Sequence, residues 1–440
     1  MSVIKRLHRL TGESPGGTES PTHSEQIAVL RKRIDEIMAH RPESRPSASS
    51  PANRRSFSLK DVIAGEDCHN AAGTCFIQET PVDASARHGH RRISDFADLN
   101  MQAAAFLAKN ALLAGYPLEE GLFLDTETTG LAGGTGTMAF LIGLGWFERG
   151  RFIVRQIFAR DFAEERAALT HLADIAGARR FLVSFNGKTF DVGLLSTRYI
   201  LNRMQNPFAM LPHLDLLYPA RRLIAHRLEN CRLATIEERV LGLVRQDDVP
   251  GSDIPQRYFD WLRGGDARPL QDVFTHNRLD IISLAALMGH LTELTHGRPD
   301  IVRADARDLL ALARWYNDRQ DTWQAQCLLT SLVVSCETAV QMEARKTLSL
   351  IYKRAGRWEE AVGLWQQMAR DHSDDLFALI ELAKWYEHRA HDVETALKLV
   401  RHAIRQAGGG GQVTTAEREA LLHRRQRLQQ RQAEQPERND

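Results

Sequence analysis

A short apolar run that ends in two acids restricts most strongly how this chain can fold. Residues 121–131, GLFLDTETTGL, pass from three apolar residues into Asp125 and Glu127. The apolar part is typical of a buried strand. Side chains two residues apart on a strand point to the same face, so Asp125 and Glu127 converge and Thr126 points away. Buried carboxylates are costly unless positive charge meets them, and the sequence must therefore supply or recruit a cation here.

Strand and helix patterns alternate around this run. The strand-like stretches are LFLDTE, TMAFLIGLGWFE, RFIVRQIFA, FLVSFN and HLDLL, with amphipathic helical patterns between and after them. Three strands in close succession, then helix, strand, helix and strand, predict an α/β domain with a mixed sheet, an antiparallel side and flanking helices. We place this domain at 117–296. A lead-in segment, 59–116, precedes it and mixes short strand-like pieces with an Ala-rich helix.

Beyond residue 300 the strand patterns stop and a helical repeat begins. Equivalent tyrosines recur after 36 and 34 residues, and equivalent alanines after 36 and 35: Tyr316, Tyr352 and Tyr386; Ala325, Ala361 and Ala396. A period near 34 resembles tetratricopeptide repeats, which predicts an all-α solenoid over 300–407. Two roles are open for it. Its concave face binds a peptide, or the solenoid packs on the neighbouring domain as a structural extension.

The two ends of the chain differ in composition from the middle. Residues 1–58 are rich in Gly, Ser, Thr, Pro and Arg, and we expect them to be largely disordered around a short helix at 24–40. Residues 408–440 form a polar C-terminal tail, whose helical pattern we expect to cap the solenoid. The start of the chain has no apolar core of a signal peptide, and no run of eighteen apolar residues occurs.

Overall charge and cysteine usage give weaker information. The 440 residues carry a net charge of +1, which weighs slightly against nucleic acid as a partner. A bound metal ion, however, supplies positive charge locally. Five scattered cysteines argue against a disulfide framework and fit a reducing compartment. We expect a cytoplasmic protein without membrane contact.

Two further acids follow strand or helix signals. Asp191 opens a helix after the strand FLVSFN, where a helix N-cap is the ordinary explanation. Asp280 stands at the front of the helix DIISLAALMGHL, and His276 lies four residues earlier, on the same face if the helix already includes it. One sheet edge can gather Asp125, Glu127 and these two acids. Clustered carboxylates repel one another, and hard divalent cations, Mg²⁺ or Mn²⁺, relieve that repulsion. Two such ions suit phosphodiester hydrolysis.

Three segments resemble a known family at this point. FLDTETTG, SFNGKTFD and HNRLD resemble the three exonuclease motifs of the DEDD superfamily, which has an RNase H-like fold. The closer resemblance is to the bacterial RNase H-like family often called YprB. The segment LATIEERVLGLVRQDDVPGSDIPQRYFDWL is similar to the part of that family before the last motif. The resemblance covers roughly residues 60–295.

The resemblance implies a role for each of the four acids. Asp125 bridges two metal ions. Glu127 and Asp280 hold the ion that activates water, and Asp191 serves the second ion.

It also implies roles for three other residues. His276 takes the place of the residue that orients or deprotonates the water. The superfamily usually has Tyr four residues before the last Asp, or His five before it, whereas this chain has His at the four-residue position. Asn186 and Lys188 stand where a substrate phosphate is expected.

These inferences lead to one functional hypothesis and one alternative. The first is a two-metal-ion nuclease, expected to be a 3′→5′ exonuclease on DNA or RNA, with the repeats serving a protein partner. The alternative is a catalytically weak or inactive RNase H-like adaptor that binds nucleic acid and acts through its repeats. Retention of all four acids favours the enzyme.

Overall fold

The structure is a computed structural model that describes residues 56–97, 99–130, 136–295, 304–335, 337–408 and 414–434. The short helix predicted at 24–40 lies outside the described residues. All described residues belong to one compact unit that begins at Ser56.

Seven strands form a mixed sheet around the strand that carries the paired acids. They are β1 (Glu66–Asn70), β2 (Gly73–Val82), β5 (Gly121–Thr128), β6 (Ala139–Glu148), β7 (Arg151–Phe158), β8 (Phe181–Ser184) and β9 (His213–Asp215). Their order is β1-β2-β7-β6-β5-β8-β9. β5 pairs antiparallel with β6 and parallel with β8, and β8 is parallel to β9. The predicted mixed sheet with an antiparallel side is confirmed.

The lead-in segment belongs to this sheet. β2 pairs antiparallel with β7, and β1 pairs with β2, so both extend the antiparallel side. A separate two-stranded ribbon, β3 (Arg87–His88) and β4 (Arg91–Arg92), follows. The sequence showed the strand-like pieces here but not that they complete the central sheet, because pairing partners distant in sequence leave no local signal.

Among the described residues up to 295, eight α-helices accompany the sheet. They are α1 (Leu59–Val62), α2 (Met101–Ala108), α3 (Glu165–Gly177), α4 (Asp191–Leu201), α5 (Leu217–Leu223), α6 (Leu233–Ile236), α7 (Ile254–Gly264) and α8 (Arg268–Thr295). A π-helical turn, Glu237–Leu241, directly follows α6. The longest helix, α8, packs on β5, β6 and β7.

Alternate residues of β5 serve two different cores. Phe123 belongs to the buried cluster that contains Ile281 of α8. Leu122 and Leu124 belong to the cluster on the other face, with Leu195 of α4. The strand alternation therefore directs Asp125 and Glu127, which share the Phe123 face, towards α8, and Thr126 towards α4.

Two glycines of β6 bring α8 close to the sheet. A Cβ on Gly143 would lie 2.3 Å from Oδ1 of Asn277, and one on Gly145 would lie 2.6 Å from Cγ2 of Ile281. Both contacts are too short for any side chain. Gly143 is also the cross-strand partner of Asp125, so the close approach occurs beside the acids.

The described residues after 303 are helical, as the repeat pattern predicted. The helices are α9 (Ala306–Asp318), α10 (Thr322–Leu332), α11 (Thr338–Arg354), α12 (Trp358–Asp371), α13 (Leu376–His388), α14 (Val393–Gly408) and α15 (Thr415–Glu434). The first six pack on one another as three successive pairs. Ala325, Ala361 and Ala396 are each the fourth residue of the second helix of a pair, and each is fully buried. The helical pairs therefore repeat with the period seen in the sequence, whereas membership of the tetratricopeptide class stays a prediction.

The first helical pair packs directly on the sheet domain. The Tyr316 hydroxyl donates a hydrogen bond to the carbonyl of Thr295 at 2.8 Å. The rings of Trp315 and Tyr316 lie 4.9 and 4.8 Å from the ring of Phe106. One buried apolar cluster runs from Phe123 of the sheet to Ile351 of α11. The packing matches the structural-extension role that the sequence left open.

The last helix covers the third pair. Leu421 and Leu428 of α15 are buried in one cluster with α13 and α14. Arg424 and Arg427 donate hydrogen bonds to Glu387, whose side chain is completely buried. The helix expected from the tail is thus present and lies at the end of the helical array. In the described parts of the chain, none of the helices combines the length and apolar character needed to cross a membrane.

Candidate metal centre

Asp125 is held at the end of β5 by an oriented amide. Nδ2 of Asn277 donates to Oδ2 of Asp125 at 2.9 Å, and Oδ1 of Asn277 accepts from Nε2 of Gln156 at 2.9 Å. Gln156 also donates to the carbonyl of Phe274 at 2.8 Å. Because Asn277 is fully buried, this chain of hydrogen bonds fixes which end of its amide faces the carboxylate. The orientation of the Asp125 carboxylate is therefore fixed.

Glu127, His276 and Asp280 meet in one place. One donor atom from each lies within 4.8 Å of the other two, close enough to hold a metal ion. The helix that carries His276 and Asp280 begins at Arg268, so the two share a face one turn apart, as the sequence argument required. The sequence placed Asp280 at the front of this helix, which is wrong, because the helix begins twelve positions earlier.

Asp191 approaches from the neighbouring strand. It is the first residue of α4, and the backbone N–H and the hydroxyl of Thr126 both donate to its Oδ1, at 3.1 and 2.5 Å. Asp191 therefore bonds across to β5 instead of capping its own helix. Thr126 lies on the opposite sheet face from Asp125, as expected, and α4 covers that face. From that face the Thr126 hydroxyl and N–H hold the Asp191 carboxylate in place.

The carboxyl groups of the site have too little positive charge around them to keep their pKa values in the usual range. Burial, together with repulsion from Asp280, Asp191 and Glu127, raises the pKa of Asp125 well above its usual range. Burial and the Asp280 carboxylate raise the pKa of Glu127 to about 8. Burial raises the pKa of Asp191 to about 6. A bound cation would stabilise the ionised form of these carboxylates, and carboxylate oxygens are the ligands that hard divalent cations prefer. The residues at this site therefore fit a hard divalent metal ion.

Arg245 is a further member of the site that the sequence did not single out. Its guanidinium contacts the carboxylate of Asp280, donates from Nε to Glu237 at 2.8 Å, and donates from Nη1 to Asp248 at 3.1 Å. Ser283 also donates to Glu237. Although burial opposes its charge, the Asp280 and Glu237 carboxylates raise the pKa of Arg245 further. This cation holds the acidic residues of α8 and of the preceding segment together.

His276 is oriented by Asp248. Nδ1 of His276 lies 2.8 Å from Oδ1 of Asp248, and Nε2 lies 3.4 Å from Oδ2 of Asp280. A proton on Nδ1 satisfies Asp248 and leaves the Nε2 side to face the acids. Burial lowers the pKa of His276, but the nearby Asp280 and Glu127 carboxylates outweigh it, and the net shift is upward.

The two expected phosphate-contacting residues lie on a turn beside Asp191. Asn186 has a positive φ of 63°, a conformation that Asn tolerates well. The backbone N–H groups of Asn186 and Lys188 donate to the buried Asp215 at 2.7 and 3.0 Å. The Lys188 side chain is exposed. The turn is therefore held by its backbone, which leaves the Lys188 side chain available.

The residues that sequence reasoning missed had visible signals. Asn277 stands inside the HNRLD segment, and Arg245 and Asp248 stand inside the segment VRQDDVPG that resembles the YprB family. Both segments were noticed as blocks, but the role of each residue within them depends on contacts between distant parts of the chain.

A second group of possible ligands lies elsewhere. His226, Asp305 and Asp308 are close enough together to hold an ion. Asp308, however, already accepts two hydrogen bonds from Arg227, at 2.9 and 2.8 Å. This group is explained as an ion pair that joins α9 to the sheet domain.

The fold and the acidic site define an RNase H-like domain, a class composed generally of nucleases. The family model described as RNase_H superfamily matches residues 122–292. More narrowly, the chain is 32% identical over 340 residues to the uncharacterized protein YprB of Bacillus subtilis (strain 168), across 76% of this chain and 81% of that protein. The chain therefore belongs to the YprB family.

Proposed function

We propose that this protein is a metal-dependent nuclease that hydrolyses phosphodiester bonds, as a 3′→5′ exonuclease of the DEDD type on DNA or RNA. The observation that carries the proposal is the meeting of Glu127, His276 and Asp280 within 4.8 Å. Asp191 stands close enough to Asp125 to help raise the pKa of the Asp125 carboxyl. The RNase H superfamily match covers all five residues.

Two ions, Mg²⁺ or Mn²⁺, are the proposed cofactors. Asp125, Glu127 and Asp280 would hold one ion, and Asp125 with Asp191 the other. When bound, the ions supply the positive charge that activates water and stabilises the leaving oxygen.

The chain's own residues orient the reactants. His276 accepts a proton from the attacking water at Nε2, while Asp248 holds Nδ1–H and fixes the ring. Arg245 holds the carboxylates of Asp248 and Asp280 in position beside His276. Asn186 and Lys188 contact a phosphate of the substrate.

The direct test uses end-labelled single-stranded and double-stranded DNA and RNA with Mg²⁺ or Mn²⁺. We expect stepwise shortening from the 3′ end that stops in chelator. Asp125→Asn, which keeps an acceptor for Asn277, should be folded and inactive. Cleavage in the middle of the strand would show that the protein is an endonuclease and not an exonuclease. Equal cleavage by wild type and Asp125→Asn would show a contaminating activity and overturn the proposal.

An inactive nucleic-acid-binding adaptor is the second candidate, and one observation favours it. Arg245 already places a cation on Asp280, a carboxylate that metal binding requires. If full-length protein binds oligonucleotides but cleaves none with either ion, this candidate replaces the nuclease.

A protein partner is also proposed for the helical array. A cavity of about 190 Å³ lies among its last two pairs and α15, with Lys353, Trp385 and Arg389 on its walls. Arg389 and the Trp385 ring suit a peptide that carries a carboxylate, whereas Lys353 is already paired with Glu381. Scattered free cysteines, such as Cys231 and Cys327, favour the cytoplasm as the place of these interactions.

A further inference from the structure

A basic cavity lies beside the candidate metal centre, between the sheet domain and the first helical pair. Its volume is about 340 Å³. The residues that matter for its chemistry are Lys109, Lys188, Asp215, Tyr218, Arg222 and Trp315. They come from the end of α2, the turn after β8, β9, α5 and α9, with Lys109 directly after the last residue of α2, so five separate segments converge on it.

The charge of this cavity is unbalanced. Among the described residues three cations line the cavity, Lys109, Lys188 and Arg222, together with one acid, Asp215. Arg222 already forms an ion pair with Asp318, which leaves the two lysines as its unpaired cations in the described part of the chain. Asp215 is only 3% exposed and accepts backbone hydrogen bonds from Asn186, Lys188 and Leu217, at 2.7, 3.0 and 3.1 Å. The Asp215 carboxylate is thus occupied by backbone hydrogen bonds of the turn. Lys109 and Lys188 line the cavity without a carboxylate partner among the described residues. Such a cavity attracts an anion.

An exposed aromatic ring accompanies these cations. Tyr218 is 51% exposed although its ring is large and apolar. Nζ of Lys188 lies 5.9 Å from the centre of that ring. An exposed ring next to a lysine offers a nucleobase a stacking surface and its phosphate a charge, which is the pattern of single-strand binding sites.

The turn that carries Lys188, on the wall of this cavity, lies beside Asp191 of the metal centre. A Cβ on Gly187 would lie 3.1 Å from Oδ2 of Asp191, so the turn that carries Lys188 touches the carboxylate. At the other end Arg222 also lines a larger cavity of about 630 Å³. Arg221 and Arg314 stand on the walls of that second cavity. Arg222 and Arg314 are paired with Asp318 and Glu343, so the path from the turn beside Asp191 to the helical array has its two unpaired lysines in the first cavity.

We infer that this path binds a single strand of nucleic acid, with the nucleotide next to the cleaved one stacked on Tyr218 and its phosphates against Lys109 and Lys188. The inference rests on the proposed nuclease function and adds the substrate form and its route. It also gives the first helical pair a role as one wall of the substrate site.

The test measures oligonucleotide binding by fluorescence anisotropy over a range of salt concentrations. Full-length Asp125→Asn protein with Mg²⁺ serves as the parent, so that cleavage does not interfere. Lys109→Gln should weaken binding and reduce the salt slope by about 0.7, the value for one lost phosphate contact on a single strand. Tyr218→Ala should weaken binding about tenfold and leave the salt slope unchanged, because a stacking contact releases no counterions.

Matched controls come from the same chain. Lys398 and Trp323 are exposed to 69% and 70% on the helical array, and they line neither of the two cavities. Lys398→Gln and Trp323→Ala should leave affinity and slope unchanged, and thermal unfolding should show that all four variants fold. The parent should bind a single strand more tightly than a duplex.

The outcomes separate this inference from the proposed function. If wild type cleaves nucleic acid but Lys109→Gln and Tyr218→Ala bind like the parent, the path is wrong and the nuclease stands. If the parent prefers a duplex, the single-strand assignment is wrong. If wild type cleaves nothing and the parent binds no oligonucleotide, both are wrong.

Discussion

Glu127 links the electrostatics of the site to the stability of the protein. Its carboxyl keeps a proton up to about pH 8 when folded, against an ordinary value of 4.5, because it is buried beside Asp280. Between these pH values the folded state binds more protons than the unfolded state. The metal-free protein therefore loses stability as the pH rises through this window.

Glu127→Gln tests this linkage, since the amide stays neutral at every pH. In chelator at pH 8 the variant should melt at a higher temperature than wild type, and the gap should close as the pH falls towards 5. Adding Mn²⁺ should raise the melting temperature of wild type much more than that of the variant. A gap that is independent of pH would contradict the assigned protonation.

His276 and Asp248 should act as one unit. His276→Ala should lower turnover about 10²–10⁴-fold, the usual contribution of a general base. Asp248→Asn should lower it less, and the double variant should be no slower than His276→Ala, because Asp248 acts through the ring. Metal affinity should change little in all three. If His276→Ala lowers only the melting temperature and leaves turnover of the folded protein unchanged, His276 is a structural residue.

At the scale of elements, helix α8 decides the geometry of the site. It carries His276, Asn277 and Asp280, and it reaches the sheet only because Gly143 and Gly145 have no side chains. The sequence predicted the strands and the amphipathic helix from local pattern. It did not predict how early α8 begins or how closely it approaches β6, because both depend on packing between segments more than a hundred residues apart.

Gly143→Ala tests the close approach. The added methyl group meets the buried Asn277 side chain, which Gln156 and Asp125 hold in place. We expect a loss of about 1–3 kcal/mol in the free energy of unfolding, as for other overpacked sites, together with weaker metal binding. Gly363→Ala is the control. Gly363 is an exposed helical glycine with open space around it, and alanine there should be neutral or slightly stabilising. Unchanged metal binding in Gly143→Ala would show that α8 is not placed by this contact.

At the scale of the whole molecule, one apolar cluster joins the sheet domain to the first helices of the array. The sequence predicted a change of architecture near residue 300 from the end of the strand pattern, and the change is there. It did not predict that the cluster crosses this boundary through Trp315 and Tyr316, since the repeat pattern describes only contacts between neighbouring repeats. The Tyr316 that helped to define the period is also the residue that bonds to Thr295.

Truncation distinguishes the two parts of the array. A chain that ends at residue 303 loses the helices that cover Phe106, and it should melt at a clearly lower temperature than full-length protein or aggregate. A chain that ends at Gly356 keeps α9, α10 and α11, and it should retain most of the stability of the sheet domain and its nuclease activity. Equal melting temperatures for the two truncated chains, measured by circular dichroism, would contradict a shared core.

The central claim is that the four acids form a two-ion site. Calorimetric titration of Mn²⁺ into full-length, chelator-stripped protein at neutral pH tests it most directly. We predict about two ions bound per chain in the wild type, with release of protons because burial beside Asp280 raises the pKa of Glu127 to about 8, so that its carboxyl holds a proton in the metal-free state. Asp125→Asn should lose most of this binding. Wild-type protein that is folded and yet takes up no Mn²⁺ would contradict the account.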